Sequence, residues 1–418
     1  MRTLRTGRLH LPFVLCAFTT LAACSGTRLG PLEVQGSAAL VNDGGTPRLW
    51  LLTRQEETRE SSTPGRGPNR RKLVQVHFDV HAFDPVSARP LWTERVYSFV
   101  SQDGDNAPIV GSTRRGRLLG QDGDRVWLVI GREPRAVSAT DGRLLDDVAR
   151  IAERHPEVTT LLPDDPQRYT FDGGLVFMAA DAQRYVVRGP DGALAPYTPR
   201  SDPPVAITHE SVKTPLRPTG DVPLRLLQLG GKWLGLYTAR ETEDAATDPF
   251  GRHLQFPYTV IDEGPLARRT LWWATVDTMQ RFDERMAHLT GFSAVEQSPV
   301  FLHGRFVRAP GRDTPLWPPD SAGLLIAHTT RIDRAGRFAL THLDTALRRV
   351  WTAELPLSDT PSDGYMRTSI WPLPGRLLLA GELATLDGDI VRRDVHVVSV
   401  DLATGSVAAW NLPRGGPP

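Results

Sequence analysis

One short stretch constrains this chain more than any other: His81-Ala82-Phe83-Asp84-Pro85-Val86-Ser87-Ala88-Arg89-Pro90-Leu91-Trp92. An alternating strand runs into it, a tight turn follows Asp84, and a second strand leaves through Trp92. An echo stands near the other end, Ser399-Val400-Asp401-Leu402-Ala403-Thr404-Gly405, and Ala136 to Leu144 repeats the unit with Ser138 in place of the aspartate. A strand–turn–strand unit that recurs at both ends of a chain points to a circular repeat fold whose first and last pieces meet.

The residues between these echoes read as strands. Val74, Val76, Phe78 and Val80 alternate with Gln75, His77, Asp79 and His81, the pattern of a half-buried strand. Further apolar runs stand at 38–52, 117–130, 175–188, 224–237, 270–276, 324–355 and 376–410, with glycine and proline dispersed between them as turn punctuation. Asp146 to His155 predicts a short helix capped by Asp146 or Asp147, with Val148 and Ile151 turned inward. Phe282, Met286 and Leu289 predict a second over 281–289. The charged stretch 54–71 and the polar stretch 238–264, helical at its start, read as insertions.

About seven strand clusters result, at roughly 40–50 residues each, which is the span of a propeller blade. The fold class predicted is all-β: a single β-propeller of about seven blades, or eight, over 37–412, with short helical insertions. A four-stranded blade buries both faces only between neighbours, so closure spares the terminal faces from water. On this reading Ala38 to Leu52 completes the blade that holds Val395 to Trp410, and 413–418 is a disordered tail.

The front of the chain predicts an address. Arg2, Arg5 and Arg8 precede an apolar run, Leu11 to Ala23, the layout of a secretory signal over 1–23. Leu21-Ala22-Ala23-Cys24 is similar to the lipobox of bacterial lipoproteins, which implies a lipid on Cys24 and a tether over 24–36. Ser25, where an aspartate would signal inner-membrane retention, implies the outer membrane, facing the periplasm. Cys16 leaves with the signal, so Cys24 has no partner for a disulfide and stability must come from a core. Lys plus Arg is 49 against 48 Asp plus Glu, a balance that gives no field for nucleic acid.

The opening unit resembles the blade repeat of quinoprotein-dehydrogenase-like propellers, the pyrroloquinoline quinone repeat Ala-x-Asp-x-x-Thr-Gly-x-x-x-Trp. Ala82, Asp84 and Trp92 match, while Ser87 and Ala88 stand in for Thr-Gly. Asp401, Thr404 and Gly405 match at the far end with Trp410 displaced by one, and Asp344 to Trp351 is one residue short. The resemblance implies that the Asp and Thr side chains hold the turn and that the Trp docks between blades. It implies no chemistry. One branch of the family is enzymatic, and many of its members carry a vicinal disulfide against the quinone, which this chain cannot form. Another includes the propeller lipoprotein of the outer-membrane protein assembly machine, with similar length, anchor and repeat. The expectation is a bacterial lipoprotein with no cofactor, acting as a non-catalytic binding or scaffold module for envelope proteins or an envelope polymer. The alternative is a quinoprotein-type oxidoreductase.

Other candidates are weaker. His77, Asp79 and His81 share a strand face and could converge on a metal, but no further ligand can be named and a polar strand face accounts for them. The Asp-Gly-Asp tripeptides at 103–105, 122–124 and 387–389 read as hairpin turns, because no alternating acidic loop follows. Trp272-Trp273 could stack on a sugar or quinone, or divide into one blade dock and one exposed ring. No nucleophile elbow, phosphate-binding glycine loop or metalloprotease helix occurs.

Overall fold

A computed structural model describes residues 27–36, 38–61, 71–102, 115–198, 226–229, 232–242, 268–281, 284–307, 323–333, 335–358, 368–387 and 390–418. These residues are all-β, in antiparallel sheets with short helical turns. In chain order the strands make six successive meanders, each four strands wide.

In the first, β1 (Thr27–Leu29), β2 (Glu33–Val34) and β3 (Ala39–Asp43) lie end to end along β4 (Thr46–Ser61), followed by β5 (Arg71–Phe83) and β6 (Pro90–Gln102). The second holds β7 (Gly116–Asp122), β8 (Arg125–Ile130), β9 (Glu133–Ser138) and β10 (Leu144–Asp147), and the third β11 (Tyr169–Phe171), β12 (Leu175–Met178), β13 (Arg184–Arg188) and β14 (Ala193–Pro196). The fourth runs β15 (Leu226–Leu229), β16 (Lys232–Tyr237), β17 (Arg268–Arg281) and β18 (Glu284–Ala294). Its β17 pairs briefly, through Arg268 and Arg269, with β19 (Phe301–Phe306) of the fifth, which continues as β20 (Gly323–Thr329), β21 (Phe338–Asp344) and β22 (Arg349–Glu354). The sixth is β23 (Ser369–Leu373), β24 (Arg376–Asp387), β25 (Ile390–Asp401) and β26 (Val407–Asn411).

Alternation along each strand gives every meander two apolar faces, and the core lies between meanders. Trp50, Val76, Phe78 and Val80 of the first pack on Val126, Leu128 and Ile130 of the second. Trp127 and Val129 then meet Leu175 and Phe177 of the third. Leu234 and Leu271 of the fourth meet Phe306 and Ile326 of the fifth. Phe338 and Leu340 meet Leu379 and Val398 of the sixth. Finally Leu49, Leu51 and Phe83 of the first pack on Leu378, Ala380, Val395 and Val397 of the sixth. Fully burying such a side chain contributes about 1.5–3 kcal/mol, so these seams dominate the stability. The leading strands also stand side by side, β3 against β7 and β7 against β11. Gln121 clamps the first of these contacts, accepting from Asn42 N at 2.7 Å and donating to Asn42 O at 2.6 Å.

Several expectations need correction. Six meanders lie among the described residues, against about seven clusters expected over the whole chain. Within 54–71, Arg54 to Ser61 is no insertion but the far half of β4, paired residue for residue with Arg71 to Phe78. Its charges are accommodated in ion pairs such as Arg54 with Glu33 (2.7 Å) and Arg59 with Glu57 (2.7 Å). Of the predicted tether, 27–36 is hydrogen-bonded to β4 and belongs to the first sheet. Of the helix expected over 281–289, residues 284–289 belong instead to strand β18, laddered to β17 from Arg281↔Glu284 to Trp272↔Ala294, and Phe282 lies outside the described residues. Three apolar residues fit a helical period, but a long strand alongside offers them ladder hydrogen bonds instead. The tail 413–418 is folded back, with an Asn411↔Gly416 bridge and Arg414 N donating to Asn411 Oδ1 at 3.0 Å.

The first helix is as expected. Helix α1 (Val148–Arg154) is capped by Asp147, which accepts from Arg150 N at 2.9 Å, and Ile151 is buried. Asp146 is buried beside it, paired with Arg125 and Arg154. Of 238–264, residues 238–242 are described. Thr238 caps a helical turn there, its Oγ1 accepting from Glu241 N and its N donating to Glu241 Oε2, a capping box. The signal 1–23, Cys24 and the Asp-Gly-Asp at 103–105 lie outside the described residues.

Candidate functional site

The repeated turn is built the same way in four meanders. Asp84 Oδ1 accepts from Val86 N (3.1 Å), Ser87 N (2.7 Å) and Ser87 Oγ (2.8 Å). Asp401 Oδ1 accepts from Ala403 N (3.1 Å), Thr404 N (3.0 Å) and Thr404 Oγ1 (3.0 Å). Asp344 Oδ1 takes Ala346 N and Arg348 N, both at 2.9 Å, and Ser138 Oγ takes Thr140 N at 3.2 Å. Burial works to raise the Asp84 carboxyl, but the Ser87 hydrogen bonds outweigh it and hold the group below the ordinary carboxylate range. Hydrogen bonds from Thr404 do the same for Asp401.

Each turn closes through a residue in the left-handed region: Ala88 (φ 58°), Gly142 (75°), Leu347 (62°) and Gly405 (72°). Alanine at 88 therefore occupies the glycine position of the repeat with glycine's backbone conformation. The tryptophans reach into the next meander. Trp92 covers Gly142, where an added Cβ would stand 2.7 Å from the ring, and Trp351 covers Gly405 at the same 2.7 Å. Trp351 Nε1 also donates to Leu402 O at 2.9 Å. Trp410 joins the cluster that contains Ala88, and Ser399 Oγ donates to Pro85 O at 2.7 Å, so the sixth meander engages the turn of the first. Ala82 is fully buried opposite Trp92. These six predicted positions are structural fasteners.

His77, Asp79 and His81 share a face, but the face is not solvated: the histidines are 4% and 7% exposed. His81 lies between Thr53 Oγ1 (2.8 Å) and Thr93 Oγ1 (3.0 Å), His77 between Glu57 Oε2 and Ser98 Oγ (both 3.1 Å), and Asp79 accepts from Arg95 at 2.9 Å. Among the described residues no group of three or more His, Cys, Asp or Glu is placed to hold a metal. The Ser98–His77–Glu57 chain has the connectivity of a hydrolase relay. Ser98, however, stands on a regular strand instead of a strained elbow, and its hydroxyl already accepts from Gln75 at 3.0 Å. The fifth meander repeats the His81 arrangement with residue types exchanged. His328 Nε2 meets Thr341 Oγ1 at 2.9 Å, which meets Thr352 Oγ1 at 2.9 Å, across three adjacent strands. These are cross-strand fasteners.

Trp272 and Trp273 are both half-buried. Trp272 Nε1 donates to Tyr237 O at 3.0 Å, and Trp273 packs at the fourth–fifth seam beneath Lys232. Asp122-Gly123-Asp124 is the β7–β8 turn, with Gly123 at φ 58° and Asp124 accepting from Ala139 N.

A cleft of about 650 Å³ that motif reasoning missed opens at one end of the fifth–sixth seam. Leu383, Val407, Ala409 and Pro356 supply apolar surface. Arg337 with Glu354 (3.5 Å) and Arg414 with Asp394 (3.1 Å) supply charge. Asn411 ties this wall together, its Nδ2 donating to Asp394 Oδ2 (3.0 Å) and His396 Nε2 (3.3 Å). Burial pushes His396 down to about 4, partly opposed by Asp394 and assisted by Arg414 and Arg337, so the ring is neutral near pH 7. The available signal was Asp394-x-His396, which puts two polar side chains on one face of a strand, flanked by Val395, Val397 and Val398.

No family model matches the chain, and no curated protein matches it in sequence. Among solved structures it is similar to the β-1,2-mannobiose phosphorylase of Listeria innocua in complex with β-1,2-mannobiose. The identity is 14%, the match covers 92% of this chain and 91% of that one, and the TM-score is 0.18. At that superposition the likeness carries no argument about fold or function. No helix among the described residues is long and apolar enough to cross a membrane.

Proposed function

We propose that the meanders close into one β-propeller, with six blades among the described residues, and that a lipid on Cys24 holds it at the outer membrane, facing the periplasm. It works there as a non-catalytic binding and scaffold module. The contact of the sixth meander with the first carries this reading. Two surfaces separated by most of the chain share an apolar seam and the Ser399–Pro85 hydrogen bond, which is the arrangement a closed ring requires. The equivalent turns at Asp84, Asp344 and Asp401 support the resemblance to pyrroloquinoline-quinone-type repeats, and every feature they contribute is structural. The chemistry around the cleft suits recognition, with charges paired in place and a fixed amide.

Crosslinking in intact envelopes, followed by identification of what is captured, tests the scaffold role; specific capture of an envelope protein or polymer is expected. Dye-linked oxidation of alcohols or sugars after reconstitution with the quinone would overturn it. The anchor is tested separately: Cys24→Ala should abolish acylation and detergent-phase partitioning, and unchanged partitioning refutes the lipid.

A further inference from the structure

We propose that the cleft between the fifth and sixth meanders binds a short uncharged saccharide segment; this deepens the binding-module reading and rests on it. The cleft volume, about 650 Å³, lies within the ~300–1,000 Å³ range usual for small-molecule sites. Its charged groups come in balanced pairs, Arg337 with Glu354 from the fifth meander and Arg414 with Asp394 from the sixth. A ligand of either net sign would meet two like charges. A hydroxyl group meets none, because it donates to a carboxylate and accepts from a guanidinium at once. Arg414 and Glu354 are 67% and 55% exposed at the side chain, free to turn onto a ligand, while the strip of Leu383, Val407 and Ala409 suits the C–H face of a sugar ring.

The base of the cleft is held rigid. Asn411 has a fixed orientation, since its Oδ1 accepts from Arg414 N. Its Nδ2 is therefore the donor to His396 Nε2, and the neutral imidazole carries its proton on Nδ1. That Nδ1 is buried and has no hydrogen-bond partner among the described residues. With no accessible surface in this geometry that N–H does not meet a ligand; the imidazole instead holds Asn411 in place beneath the cleft through Nε2. An extended peptide is disfavoured, because Gly416 already occupies Asn411 at the edge of β26.

The test is titration calorimetry of the full-length chain with cellotriose, N,N′,N″-triacetylchitotriose, trigalacturonic acid and triglycine. At least one of the two neutral trisaccharides should bind with a Kd below 1 mM, a value on the order of weak specific recognition. Asp394→Asn and Arg337→Met should each weaken that binding by about tenfold, the loss of one hydrogen bond to a charged group, with the melting temperature unchanged. If Asp394→Asn lowers the melting temperature, Glu354→Gln, exposed and outside the Asn411 network, takes its place with the same expected loss. Absence of binding by both neutral sugars, affinity indifferent to the substitutions, or binding of the acid or the peptide alone overturns the proposal. Envelope crosslinking and Cys24 acylation do not depend on this titration, so a failure here leaves the scaffold reading standing and the two failures are told apart.

Discussion

Consider Gly405→Ala, which probes the tryptophan dock between the fifth and sixth meanders. Gly405 has φ 72°, and the new Cβ would lie 2.7 Å from Trp351 Cδ2, 2.9 Å from Cγ and 3.0 Å from Cε3. Two costs combine. The left-handed backbone costs a non-glycine residue roughly 1–2 kcal/mol. Overpacking against a ring that cannot swing away, because its Nε1 is bonded to Leu402 O, costs about 1–3 kcal/mol more. The expected destabilisation is therefore about 2–5 kcal/mol. Gly44→Ala is the internal control: its φ is 56°, and an added Cβ there meets nothing within 4 Å, so only the backbone cost applies. Urea unfolding followed by tryptophan fluorescence and far-UV circular dichroism reads both, with midpoints compared at constant slope. In a Trp351→Leu background, Gly405→Ala should fall to the Gly44→Ala value. Equal destabilisation by the two substitutions in the otherwise unaltered protein would show that Trp351 does not dock on Gly405 and would sink the account of the repeat.

Three further outcomes are expected. Ser399→Ala removes the donor to Pro85 O, leaves a buried carbonyl unpaired and should cost about 1–3 kcal/mol in the urea midpoint; a change under ~0.5 kcal/mol would argue against the contact between sixth and first meanders. Asp84→Ala loses three hydrogen bonds and should cost about 1–3 kcal/mol, with Asp84→Asn recovering part, since an amide oxygen still accepts; equal losses would contradict the turn geometry. Burial holds His81 down to about 4, against an ordinary 6.5, so between those values the unfolded chain binds more protons. Stability should fall as pH drops through that window, by on the order of 3 kcal/mol from His81 alone, and His81→Gln should flatten the slope measured between pH 7 and 4.5. The lowered Asp84 and Asp401 carboxyls contribute above 3.8 and lose that contribution only as pH falls further, so the two effects separate.

The turn units were legible because each is local: Asp84, Ser87 and the residue at 88 lie within five positions and settle one another's conformation. The Val74–Val80 alternation was legible for the same reason. Length misled at 54–61, where a charged sequence reads as loop in isolation and becomes strand once β5 lies beside it. The same holds at 281–289, whose apolar spacing fits a helix, while residues 284–289 pair with β17. Buried histidines misled too. His77 and His81 look like a solvent face until the first sheet is folded, when threonines, a serine and a carboxylate absorb their nitrogens.

Period, turn chemistry and the repeated aspartate, all short-range effects, determined from the sequence alone that the chain would be all-β and built of repeated turns. Tertiary structure decided which meander each tryptophan covers, how far the hairpins extend, and that Asn411, His396 and Asp394 meet Arg337 and Glu354 across a cleft. Those contacts join residues dozens to hundreds of positions apart. Their geometry is fixed by how two twisted sheets pack, which no local pattern encodes.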